Sequence, residues 1–191
     1  AEAGIFYATY AHMGNGIWST ERERIRGGAT SRAFRLERAT EGHWVGEVFR
    51  TPLSHGRAYT ADELWDNYAY FIRQVVPVAE ESNVYIGIHP DDPPVPMLAG
   101  VPRPIFSSLS GFKRALEIAS SRHIGVCLCV GCWLEGGQSM GADVIEAIRY
   151  LGSRKKIFKV HLRNVTKSIP RGGFAETYLD DGYMDMHQVV R

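Results

Sequence analysis

The sequence predicts an α/β protein built on a parallel sheet, and three observations carry that expectation. Apolar, β-branched runs at residues 84–89, 125–130 and 157–162 read as buried strands. Segments with helical spacing separate them, and strand alternating with helix is the βα pattern of a parallel sheet. His89, Cys129 and His161 lie at or near the carboxyl ends of these three strands, 40 and 32 positions apart, each spacing fitting one βα unit. The carboxyl edge is where parallel α/β proteins build their sites.

Residues 4–10 (GIFYATY) read as a first buried strand. Residues 13–59 form a long irregular excursion rich in Gly, Arg and Thr, of the kind used for lids or binding loops. It carries Trp18, Arg22, Arg24, Arg26 and the pair Gly27-Gly28; arginines on flexible backbone suit gripping a carboxylate, and scattered charge on a solvated loop is the alternative. Thr60 and Glu63 make a capping box that opens an amphipathic helix through about Glu81, with Leu64, Tyr68, Phe71, Ile72 and Val75 near helical spacing. Pro77 is expected to kink or interrupt its end.

The strand at 84–89 follows, with Tyr85, Gly87 and His89 on one face, and the run Pro90-Asp91-Asp92-Pro93-Pro94 ends it. A helix is expected over about 110–120 (Phe112, Ala115, Leu116, Ile118), then the strand at 125–130 and a Gly-rich loop at 131–141. A further helix over about 142–151 ends at Gly152 as its C′ residue. The strand at 157–162 and a polar loop to about residue 182 complete the order.

On these strands Cys127 and Cys129 share one face, and so do His161 and Arg163. Neighbouring strands lie about 4.8 Å apart, so side chains from three adjacent strand ends converge on one ion. Imidazole and thiolate suit a divalent transition metal, and an added carboxylate tilts the set toward the harder ones; Asp180 and Asp181 are placed to supply it. Cys129-x-x-Cys132 has no second CxxC partner, which argues against a structural zinc site. Arg163 is a candidate to bind a substrate carboxylate beside the metal, or a salt bridge closing the sheet end. Asp91 and Asp92 either orient the ligands or make the turn into Pro93-Pro94.

The 191 residues are 45% hydrophobic and 23% charged, a globular composition that forms a sizeable core. A net charge of +1 argues against a general nucleic-acid or membrane-surface role. No apolar run approaches the roughly 18 residues of a membrane span. The three cysteines, crowded within six positions, read as reduced thiols, so a cytoplasmic setting is expected. Both ends of the chain look cut.

The motifs HPDDPP after an apolar strand, a cysteine on the next, HLRNV on the one after, and a segment from Phe174 to Met186 (FAETYLDDGYMDM) together resemble the D-mannonate dehydratase family. Residues 59–81 also look like that family's helix before the HPDDPP strand. The likeness covers most of residues 59–190 and, more weakly, 4–30. It implies a xylose-isomerase-like TIM barrel, here a single incomplete domain over residues 1–191, because four strands in 191 residues fall short of the roughly 250 of a full barrel. The N-terminal strands and the last strand are expected to be missing.

The resemblance implies dehydration of D-mannonate to 2-dehydro-3-deoxy-D-gluconate in hexuronate breakdown, with Mn²⁺ or Fe²⁺ held by His89, Cys129, His161 and a carboxylate at Asp180, with Asp181 as the alternative. Read from the residues themselves, Arg163, Asn164, Arg26, Trp18 and Asp91 are the substrate-binding candidates. Many members carry an Asp-His pair at about Tyr178-Leu179, and this chain does not. It resembles a divergent branch, which leaves Tyr178, Tyr183 and His187 as acid/base candidates. A homo-oligomer acting on a small sugar acid is expected. The alternatives are a metal-dependent sugar isomerase or epimerase of the same superfamily, and an inactive fragment that binds metal or sugar acid.

Overall fold

The computed structural model describes residues 3–191. Its centre is a parallel sheet of four strands, Tyr7–Ala11, Tyr85–His89, Ile124–Cys129 and Ile157–His161, adjacent in chain order. Helix α1 (Ala61–Glu81) connects the first strand to the second, and α2 (Leu109–Ala119) the second to the third. Helices α3 (Val130–Gly136) and α4 (Val144–Ser153) connect the third to the fourth. The outward strand residues Ile88, Ile124, Val126 and Leu128 are buried in one cluster with Tyr68, Ile72, Phe112, Ala147 and Leu151 from the helices. Each Ile, Val, Leu or Phe side chain among them contributes roughly 1.5–3 kcal/mol of burial.

The other face of the sheet carries Tyr7, Thr9, Gly87, His89, Cys127 and Cys129 in register. Gly87 is required there, because a Cβ would collide with the Tyr7 hydroxyl. Between Val126 and Cys127 the register shifts: Val126 faces Ile157 but Cys127 faces Lys159, so Phe158 is an extra residue on the fourth strand. The bulge re-aims the strand so that Lys159 and His161 stand opposite Cys127 and Cys129.

Several expectations are corrected. Residues 13–59 are not irregular. Glu21–Arg24 and Thr30–Phe34 form a hairpin that continues through Phe174–Thr177 to Asn164–Val165, so the loop expected to run to about 182 also holds two strands. Ile17–Trp18, Glu41–Trp44 and Glu47–Arg50 form a separate three-stranded sheet. The hairpin escaped an apolar-alternation reading because it alternates charge; Arg35 pairs with Glu21 and Glu23 across it. The Gly-rich stretch 131–141 is helix α3 and a 3₁₀ turn. Its glycines serve close approach: a Cβ on Gly131 would overlap Arg163, and one on Gly136 would meet Met140 Sδ at 2.5 Å and Pro94. Helix α1 runs on through Pro77, and α4 continues past Gly152 to Ser153 after an unforeseen capping box of Asp143 with Glu146.

The Thr60–Glu63 capping box is present as expected. Thr60→Ala is expected to cost about 1 kcal/mol, read as a lower urea midpoint at unchanged m-value. His12 packs among Tyr10, Tyr68, Phe71 and Phe106, and burial pushes its pKa down to about 4. A histidine kept neutral by the fold adds stability above its unfolded pKa of about 6.5, and that contribution is lost as pH falls toward 4. The urea midpoint is therefore expected to fall over that window, and His12→Phe to flatten the slope. No helix among the described residues is long and apolar enough to cross a membrane.

Candidate functional site

Three strand ends build the site. His89 closes the second strand, and its Nδ1–H donates to the Pro90 carbonyl at 2.7 Å, which leaves Nε2 as the free lone pair. Cys129 closes the third strand and is the N-cap of α3, 2% exposed. His161 closes the fourth, directly opposite Cys129 in register. The two imidazoles stand 5.1 Å apart between ring centroids.

A hydrogen bond from the Cys132 thiol, with both imidazoles and the Arg163 charge, outweighs burial and holds the Cys129 thiol well below its ordinary pKa. Burial, then the hydrogen bond to Cys129, pushes Cys132 well up. Burial alone would lower His89, but the Cys129 thiol beside it raises it. Of the two thiols, Cys129 is the one whose surroundings favour the thiolate. Donor atoms of His89, Cys129 and Cys132 lie within 4.8 Å of one another, and those of Asp92, Cys132 and Glu135 do so as well.

Behind these donors is a buried charge network. Arg163 pairs with Glu135, with Glu176 at 2.7 Å and with Asp92 at 3.5 Å, and Nη2 donates to Cys132 Sγ at 3.3 Å. Arg32 pairs with Asp92 at 2.5 Å, Glu176 at 3.1 Å and Glu135 at 3.7 Å. Burial pushes the Glu135 carboxyl well up despite Arg163. Burial would raise Asp92 too, but Arg32 and Arg163 bring it below the usual carboxylate value. Asp91 is raised to about 6 by burial, against the opposing charge of Arg103.

The structure brings His89, Cys129 and His161 together, with Arg163 and Asp92 beside them. It does not bring Asp180 to them: that carboxylate is exposed on the loop and pairs with Arg26 at 2.6 Å, while Asp181 accepts from the Thr177 hydroxyl. Arg26, also exposed, lies over the Tyr178 ring at 5.0 Å. Two substrate-binding expectations are corrected. Trp18 is fully buried, with its indole N–H donating to the Asn15 carbonyl, so it anchors the core. Asn164 is fully buried; its amide donates to the Leu179 and Met184 carbonyls and its oxygen accepts from Val165 N–H, so it clamps the 179–184 loop.

Asp91 is buried too, beside the Arg103 charge and a backbone hydrogen bond from Phe106. Tyr183 donates its hydroxyl to the Leu134 carbonyl at 2.5 Å and lines a cleft with Trp133, Met184 and Gln188 that none of the three strand-end donors reaches. His187 sits on the exposed first turn of the short helix Met186–Val190. Glu135, Arg32 and Glu176 are the site residues that sequence reasoning missed, and Cys132 was weighed only as half of a zinc pair. A single Glu within the apolar run GCWLEGG was a legible signal for Glu135; nothing local marked Arg32.

The fold and site define an α/β protein whose polar centre, two imidazoles and a cysteine backed by buried arginine–carboxylate pairs, stands at the carboxyl edge of a parallel sheet. Within that class the chain belongs to the D-mannonate dehydratase (UxuA) family, whose profile matches residues 3–191. Mannonate dehydratase of Streptococcus pneumoniae (strain 70585) is 37% identical over 132 residues, 68% of this chain and 34% of that protein. That of Streptococcus equi subsp. zooepidemicus is 35% identical over 148 residues, 76% of this chain and 39% of that protein. The crystal structure of mannonate dehydratase from Streptococcus suis serotype 2 superposes with a TM-score of 0.81 at 31% identity, covering 99% of this chain and 52% of that one. A xylose isomerase domain protein from Planctomyces limnophilus superposes at 0.50 and 10% identity over 72% of this chain and 44% of that one, a likeness of fold alone. The chain thus spans about a third of the length of the curated relatives and about half of the solved one.

Proposed function

We propose that this chain carries the metal-binding part of a mannonate dehydratase, on an incomplete, xylose-isomerase-like TIM barrel. The reaction is loss of water from D-mannonate to give 2-dehydro-3-deoxy-D-gluconate. The observation that carries the reading is the placement of Cys129 at a strand end, opposite His161 in register and beside a pair of imidazoles 5.1 Å apart. This donor set fits a divalent transition metal, because the thiolate is already favoured and His89 presents Nε2 with its other nitrogen tied to Pro90. Mn²⁺ or Fe²⁺ bound there would supply Lewis-acid stabilisation of the charge that develops when the proton alpha to the carboxylate leaves.

The chain's own groups do the rest. Arg163, held by Glu135, Glu176 and Asp92, keeps positive charge beside the thiolate. Arg26, on the exposed loop, is the arginine free to turn from Asp180 to a substrate carboxylate. Tyr178 beneath it and His187 are the exposed acid/base candidates, whereas the Tyr183 hydroxyl is already used. The test is to supply D-mannonate with Mn²⁺ or Fe²⁺ under anaerobic conditions and assay the 2-keto-3-deoxy acid, with bound metal measured by elemental analysis. His161→Ala is expected to lose metal and activity together. Retention of both would remove the site, and an isomerised sugar without loss of water would replace the reaction.

A further inference from the structure

At the amino edge of the sheet, opposite the strand ends that carry His89, Cys129 and His161, a groove of about 490 Å³ opens between the end of α2 and the end of α4. Four cations line it: Lys113 on α2, Arg122 in the turn before the third strand, and Arg154 and Lys156 in the turn before the fourth. Glu117 is the one carboxylate on its wall. No ion pair among the described residues includes any of the four. What holds them is neutral. Lys113 Nζ lies 4.2 Å and Arg154 Cζ 3.8 Å from the centre of the Tyr150 ring. Arg154 donates to the Tyr150 carbonyl at 3.0 Å, and Lys156 to the Ser121 and Ile124 carbonyls at 2.7 and 3.0 Å. Arg122 Nε donates to His123 Nε2 at 3.3 Å. These contacts fix where the charges stand and cancel none of them. Carbonyls near helix ends account for Arg154 and Lys156. They do not account for Lys113 and Arg122, which have no carbonyl partner among the described residues.

We propose that this groove binds the phosphoryl group of a small molecule. A phosphate monoester carries a charge of about −1.5 to −2 at neutral pH and three strong acceptor oxygens. The guanidinium forks of Arg122 and Arg154 match that geometry, and the ammonium groups add point charge. A carboxylate brings a single charge and two oxygens, so it answers the cluster less well. The volume is that of a small-molecule site, and a net charge of +1 over the chain gives no general field for a long polyanion. Burial pushes the Lys156 pKa down, so an anion beside it offsets part of the cost of keeping it charged. The site stands at the far edge of the sheet from the dehydratase centre and does not rest on that reading. Binding there acts on the stability of the fold, since a ligand taken up by the folded state alone stabilises it.

The test is calorimetric titration of the 191-residue chain, without added metal and at low ionic strength, with inorganic phosphate, glucose 6-phosphate and acetate. The expected result is one site that takes the phosphates at least about tenfold more tightly than acetate. The tighter of the two phosphates tells free phosphate from a phosphorylated metabolite as the source. Arg122→Gln combined with Arg154→Gln is expected to lower phosphate affinity by about tenfold or more. Arg50→Gln, an exposed arginine paired with Glu41, should leave it unchanged. Phosphate should also raise the urea midpoint of the unsubstituted chain and of Arg50→Gln, and leave that of the double variant where it is. Absence of binding, affinity unchanged in the double variant, or acetate bound as tightly as phosphate overturns the proposal. A single-stranded oligonucleotide that binds more tightly than either phosphate, and is lost in the same double variant, overturns it in favour of a nucleic-acid surface.

Discussion

Replacing Arg163 with methionine is expected to lower the free energy of unfolding by about 3–5 kcal/mol, the cost of removing one partner from a buried ion pair. The guanidinium is the meeting point of Glu135, Glu176 and Asp92, and it donates to Cys132 as well. Glu135 is fully buried and Asp92 nearly so, so neither gains water in exchange when the guanidinium goes. The sign is decided by what stays behind: three carboxylates that share Arg32 as their remaining cation in a nearly dry site cost more than the Arg163 pairs contributed. Lysine in place of arginine keeps the charge but loses the planar fork that reaches several carboxylates at once, so Arg163→Lys should fall between. Removing both members, Arg163→Met with Glu135→Leu, should recover much of the loss. Urea unfolding of the three variants checks this. A loss below about 1 kcal/mol for Arg163→Met, the range of an exposed pair, would mean that the network contributes little. Gly131→Ala probes the same point from the backbone, since its Cβ would overlap the Arg163 side chain.

What could be read in the sequence follows from where the information is local. Strand ends carry their chemistry on the strand itself, so His89, Cys129 and His161 were legible as one set from β-branched runs and their spacing, and the structure brings them together. The capping box at Thr60 was legible because both partners lie within one turn. The charged hairpin at Glu21–Arg24 was not, because its register is set by cross-strand ion pairs with no apolar alternation. Helix α3 was hidden by glycines that read as loop but are there to admit Arg163 and Met140. The network residues Arg32 and Glu176 come from segments 144 positions apart and meet only through the small sheet, which no local pattern announces. Asn164, next to Arg163, and Trp18, in the long excursion, read as substrate contacts, and both prove to be internal braces. A hydrogen-bonding side chain in a loop carries no mark of whether the loop faces solvent or folds inward.

Replacing Cys129 with serine should lower the proposed dehydratase activity by more than about a hundredfold and lower bound Mn²⁺ or Fe²⁺ in proportion. The losses measured for groups that merely orient a metal ligand already reach about 10–100-fold, and Cys129 is proposed as a ligand. The informative comparison is Cys127→Ser. Cys127 shares the face of Cys129, one pleat deeper, and its Sγ lies 3.6 Å from His161 Nε2. Face and residue type therefore do not separate the two thiols; depth along the strand and surroundings do. Cys129 ends the strand, touches both imidazoles and feels the Arg163 charge, so its thiolate is favoured. Cys127 lies between Tyr7 and Lys159 and is pushed up by burial, so it stays a thiol. Cys127→Ser is expected to retain its metal. Loss of metal in Cys127→Ser with retention in Cys129→Ser would move the centre one pleat into the sheet, away from the carboxyl edge and from the charge network that would then have no part in it.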